Sequence, residues 1–122
     1  MPPIFTVGKE FRFEAAHSLP HLPEGHKCRN VHGHSYRFRV DIQGPVDDRG
    51  FVIDYAEISE VVDQNIVQQL DHQNLNDLFD FETTAENLAL HIMNEVKRDL
   101  GQCHRVILWE TPTSVVVCEN DD

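Results

Sequence analysis

Positive charge is scarce in this chain: 10 Lys and Arg residues stand against 21 Asp and Glu, a net charge of −11 with histidine neutral. Affinity for a nucleic-acid backbone comes mostly from clustered Lys and Arg, so a nucleic acid partner is disfavoured. The one concentrated basic region is Lys27, Arg29, Arg37 and Arg39, with Lys9 and Arg12 on the strand before it. An anionic small substrate would need that local exception, although ordinary surface charge explains it as well. Cysteine is also scarce. Cys28, Cys103 and Cys118 are an odd, widely spaced set, which argues against a secreted disulfide framework and for reduced thiols. No apolar run approaches the roughly 20 residues that span a bilayer, so no membrane partner is expected. The start, Met1-Pro2-Pro3-Ile4, lacks a basic segment followed by an apolar one, and a cytoplasmic location is the default. Internal repeats, low-complexity segments and linkers are missing too, so the 122 residues read as a single domain, 1–122.

What is present alternates. From Val7 to His17, the residues Val7, Phe11, Phe13, Ala15 and His17 share one parity, as a half-buried strand requires. A loop interrupted by Pro20, Pro23 and Gly25 then delivers Cys28. A second strand carries His32, His34, Tyr36, Phe38, Val40 and Ile42 on one face and Arg37, Arg39 and Asp41 on the other. Asp54 with Glu57 marks a helix start, and Ile58, Val61, Val62, Ile66 and Leu70 follow at helical spacing. Thr83 with Glu86 reads as the capping box of a second helix, whose apolar face runs from Ala85 to Leu100 before Gly101. Arg105–Trp109 and Ser114–Cys118 resemble a closing hairpin, and the tail Glu119–Asp122 is expected to fray. The order β-β-α-α-β-β predicts an α+β fold: a four-stranded antiparallel sheet with two helices on one face. Open sheet edges are commonly closed by pairing between subunits, so an oligomer is expected.

Chemistry concentrates at Cys28-Arg29-Asn30-Val31-His32-Gly33-His34. His32 and His34 point to one side of a strand, and His17 ends the neighbouring strand on its buried face. Three imidazoles plus an open position is the catalytic zinc arrangement. Cys28 could close such a site as a fourth ligand or stand beside the metal as a base. Asp71-His72 follows a helix end. It reads either as a solvated terminus or as a carboxylate setting an imidazole's tautomer, and cooperation requires a non-helical backbone there. Glu110, where a strand gives way to a turn, is a solvated acid or a two-bond anchor for a guanidine-like edge.

The segments Phe13-Glu14-Ala15-Ala16-His17, Glu24-Gly25-His26-Lys27-Cys28, His32-Gly33-His34, Leu70-Asp71-His72, Thr84-Ala85-Glu86-Asn87 and Trp109-Glu110-Thr111 resemble the signatures of the 6-pyruvoyltetrahydropterin synthase superfamily. The three-residue gap between Cys28 and His32 is similar to its carboxytetrahydropterin-forming, queuosine-pathway branch. The resemblance implies the tunnelling fold. Its subunits join their sheets into a barrel, usually stacked as a dimer of trimers, with active sites at subunit boundaries. It implies 7,8-dihydroneopterin triphosphate as substrate and Zn2+ on His17, His32 and His34. Cys28 would then be the base, Asp71 and His72 a proton relay, Glu110 the pterin anchor and Thr84 a pterin contact. The family often has proline where Thr83 stands, and often a small residue and a tyrosine where this chain has Val115-Val116-Val117-Cys118.

Overall fold

Two long strands set the frame. In the computed structural model, which describes residues 2–120, β1 (Phe5–His17) and β2 (His32–Gly44) form one unbroken antiparallel ladder from Phe5 opposite Gly44 to His17 opposite His32. The alternation of both segments explains the pairing, because each strand buries one parity. Phe13, Tyr36, Phe38, Val40 and Ile42 are all core residues, and Phe13 stacks on Tyr36 with ring centroids 4.8 Å apart.

The helical side begins with α1 (Tyr55–Val62), capped by Asp54, whose side chain accepts from the Ala56 N–H at 2.8 Å. A π turn, Asp63–Val67, and α2 (Gln68–Leu70) continue it to Leu70. A short α3 (Leu75–Leu78) precedes α4 (Ala85–Asp99). Leu88, Ala89, Ile92, Met93 and Val96 of α4 are buried in one cluster with Ile58, Val62, Ile66 and the sheet's apolar parity. β4 (Cys103–Thr111) adds Val106 and Leu108 to that core, and β5 (Ser114–Glu119) pairs antiparallel to β4.

The sheet differs from the four-stranded antiparallel one expected. It has five strands in the order β3-β1-β2-β4-β5, and β3 (Gln73–Asn74) runs parallel to β1 beside Ala15 and Ala16. Two polar residues carry no periodicity, and only their chain-distant partners make them a strand. The helix cap is also shifted by one residue. Thr84, rather than Thr83, accepts from the Asn87 N–H, because the Thr83 side chain is fully buried and turned elsewhere. At the tail, Glu119 closes β5 and the Asn120 side chain donates to Cys103 O at 2.8 Å, so both are held. The rest of the expected fraying, at Asp121 and Asp122, lies outside the described residues.

Candidate active site

The β1–β2 register brings three imidazoles together. His17 lies directly across from His32, and His34 stands two residues along the same face, opposite Ala15. Ring centroids are 4.6 Å apart for His17 and His32, 5.1 Å for His17 and His34, and 4.9 Å for His32 and His34. One nitrogen from each ring falls within 4.8 Å of the other two.

Backbone carbonyls orient two of the rings. His17 Nδ1–H donates to Thr83 O at 2.9 Å, with Thr83 Oγ1 at 3.2 Å as a second acceptor. His32 Nδ1 is 2.8 Å from Asn30 O. These bonds consume the Nδ1 protons and leave Nε2 as the lone-pair atom of each ring. His17 Nε2 and His34 Nε2 are buried without a hydrogen-bond partner. Burial pushes the pKa of His17 and His34 below the ordinary value of 6.5, which favours the neutral, ligating form. An unpaired buried nitrogen is expensive, and a shared cation removes that cost. The three residues therefore fit a metal ion.

The remaining candidates divide. Asp71 Oδ1 accepts from the Glu14 N–H at 2.8 Å and Oδ2 lies 3.0 Å from His72 Nδ1. The Glu14 bond first, and then His72, hold the Asp71 carboxyl below the usual carboxylate range. His72 has φ 61°, the left-handed backbone that lets adjacent side chains meet. It lines a groove of about 500 Å³ with Glu14, Ala15, Gly33 and His34. Glu110 falls where the β4–β5 register shifts, a bulge that re-aims its side chain, and its carboxylate is 3.8 Å from His34 Nε2. It lines a second groove of about 640 Å³ with His34, Tyr36, Arg37 and Trp109.

Cys28 stands apart, on a short 3₁₀ turn, Lys27–Arg29, outside the three-nitrogen set and in the lining of neither groove. Its loop is tied down: Arg29 Nη1 donates to Pro20 O and Leu22 O, both at 2.8 Å, and Cys28 O accepts from the Leu19 N–H at 2.7 Å. Thr84 also lines neither groove, and its hydroxyl caps α4. Thr83 was not foreseen as part of the site. Its only sequence signal is as the expected cap of the second helix, and that does not reveal a partner 66 positions away.

Fold and site together define a class: an α+β protein whose sheet gathers three imidazoles that could hold a metal ion. Comparison supplies the particular family. The chain belongs to the 6-pyruvoyl tetrahydropterin synthase family, whose sequence pattern matches residues 6–121. It is 34% identical to a 6-carboxy-5,6,7,8-tetrahydropterin synthase of Haemophilus influenzae, over 91% of this chain and 96% of that one. It is 30% identical to a 6-pyruvoyl tetrahydrobiopterin synthase of Drosophila melanogaster, over 93% of this chain and 79% of that one. The solved structure of Caenorhabditis elegans 6-pyruvoyl tetrahydropterin synthase superposes with a TM-score of 0.88 at 28% identity, over 98% of both chains. The fold is the tunnelling fold of that family, and the activity is of the pterin synthase type. No helix among the described residues is long and apolar enough to cross a membrane.

Proposed function

We propose that the protein is a zinc-dependent lyase converting 7,8-dihydroneopterin triphosphate into 6-carboxy-5,6,7,8-tetrahydropterin, with release of acetaldehyde and triphosphate, in queuosine biosynthesis. The observation that carries the metal reading is the pair of buried, unpartnered Nε2 atoms of His17 and His34, the first on a ring oriented by Thr83 O. The three-residue gap between Cys28 and His32 supports the carboxy product over the pyruvoyl one.

Zinc, when bound, polarises the substrate's side-chain hydroxyls and stabilises negative charge developing on oxygen. His17, His32 and His34 hold it. Cys28 thiolate takes the proton beside the pterin imine. His72, held by Asp71 at 3.0 Å, exchanges protons on the other side. Glu110 accepts two N–H bonds from the pterin's guanidine-like edge. The Thr84 hydroxyl spends a lone pair on the Asn87 N–H and keeps its own proton to donate to the pterin.

The working form is an oligomer, a dimer of trimers, with sites at subunit boundaries. Two features support it. Beyond β3's two residues the outer edge of β1 has no strand partner among the described residues, and β5 leaves Val115 and Val117 about half exposed on the opposite edge. A site completed between chains also accounts for Cys28 and His72 lining no common groove in one chain.

Incubating the zinc-loaded protein with 7,8-dihydroneopterin triphosphate and identifying products by mass tests the assignment. Carboxytetrahydropterin with acetaldehyde is expected. A pyruvoyl product without acetaldehyde would transfer the chain to the activity named for its Drosophila relative. No turnover by protein that retains zinc would leave a closed structural zinc site.

A further inference from the structure

Arg12 and Arg37 face each other across the β1–β2 ladder. Like charges directly opposite in an antiparallel pair destabilise it, and this acidic chain has few cations to place there. Their neighbours on the same face are committed. Arg39 Nε bonds Asp41 Oδ1 at 2.7 Å, and Arg105 Nε bonds Asp41 Oδ2 at 2.8 Å, around a fully buried carboxylate. Arg37 Nη1 donates to Glu10 Oε1 at 3.2 Å, and its guanidinium lies 3.9 Å over the Trp109 ring. Arg12 makes no ion pair or side-chain hydrogen bond among the described residues.

Arg12 and Arg37 both line the 640 Å³ groove, whose lining also includes His34 and Glu110, so the cation pair borders the groove of the candidate pterin anchor. The other acid in that groove, Glu14, is occupied as acceptor of the Ser35 hydroxyl. A planar fork matches phosphate oxygens bidentately, and a bridging polyanion converts the repulsion between two arginines into a shared attraction.

We propose that Arg12 and Arg37 form the subsite for the substrate's polyphosphate group, with Arg37 fixed by Glu10 and Trp109 and Arg12 free to close on the anion. The proposal rests on the triphosphate substrate assigned above. It gives the acidic chain one local field of the sign that an anionic ligand requires.

Two measurements on the zinc-loaded protein test it. Calorimetric titration with inorganic triphosphate reads the subsite without turnover. The KM for 7,8-dihydroneopterin triphosphate, set against the Kd for 7,8-dihydroneopterin, reads it within substrate binding. Arg12→Ala is expected to weaken inorganic triphosphate and raise the KM by about 10- to 100-fold, the loss of one charge-assisted contact pair. The Kd for the unphosphorylated pterin stays unchanged, and Arg12→Lys recovers part of the loss. Equal weakening of both pterins, unaltered triphosphate binding, or a changed native mass for Arg12→Ala would each overturn the subsite. Arg12-dependent binding of inorganic triphosphate without turnover of the pterin triphosphate would keep the subsite and reject the reaction.

Discussion

Replacing Thr83 by valine removes one of two acceptors from the His17 Nδ1–H. The carbonyl at 2.9 Å survives and the hydroxyl at 3.2 Å is lost. That hydroxyl sends its own proton toward Ser18 O at 3.5 Å, so its lone pair faces the imidazole. Outer partners of metal-ligating histidines typically carry 10- to 100-fold in metal affinity. With the stronger acceptor intact, the loss falls at the low end, about tenfold or ~1.4 kcal/mol. Competition for zinc against a chromophoric chelator at neutral pH measures it directly, without reference to turnover. Thr83→Ser keeps the hydroxyl and separates the lost bond from altered packing, since position 83 is fully buried. The reasoning fails if Thr83→Val binds zinc as tightly as the parent, or if Thr83→Ser loses as much.

Two further outcomes are expected. Cys28→Ala loses about 100-fold or more in turnover, the span of one positioned acid-base group, and keeps its zinc; loss of metal together with activity would mean that the thiol is a ligand. Burial holds the His91 pKa below 6.5, against a weaker pull from Glu95. The unfolded chain therefore takes up that proton first, and stability is lost as pH falls below 6.5 toward the folded pKa. Urea midpoints measured from about pH 7 to pH 5 should fall less for His91→Phe than for the parent, and parallel profiles would refute the assignment.

The histidine cluster was legible because a period of two leaves no choice of face. Once Val7–His17 and His32–Ile42 are strands, His17, His32 and His34 share a side, and only the pairing of the strands remains to be found. The Asp71-His72 condition, a non-helical backbone, was legible as a requirement, and the left-handed His72 meets it. What escaped the sequence depends on distant partners. Gln73–Asn74 is a strand only beside Ala15–Ala16. Thr83 and Thr84 are chemically identical candidates for one cap, and the choice between them is made by His17. The bulge at Glu110 arises from the offset of β4 against β5, which no local pattern announces. The arginine pair shows the same limit: parity puts Arg12 and Arg37 on the open face, and only register sets them opposite each other.

The bond from His17 to Thr83 spans 66 positions, whereas the three imidazoles sit on one hairpin. Local pairs form before contacts that must close a long loop. During refolding the hairpin can gather the rings while the His17 tautomer is still unset, so a metal ion first meets a loose site. The grip tightens only when the chain leading into α4 docks over β1. An ion held by the three imidazoles would therefore draw the folding equilibrium toward the docked state.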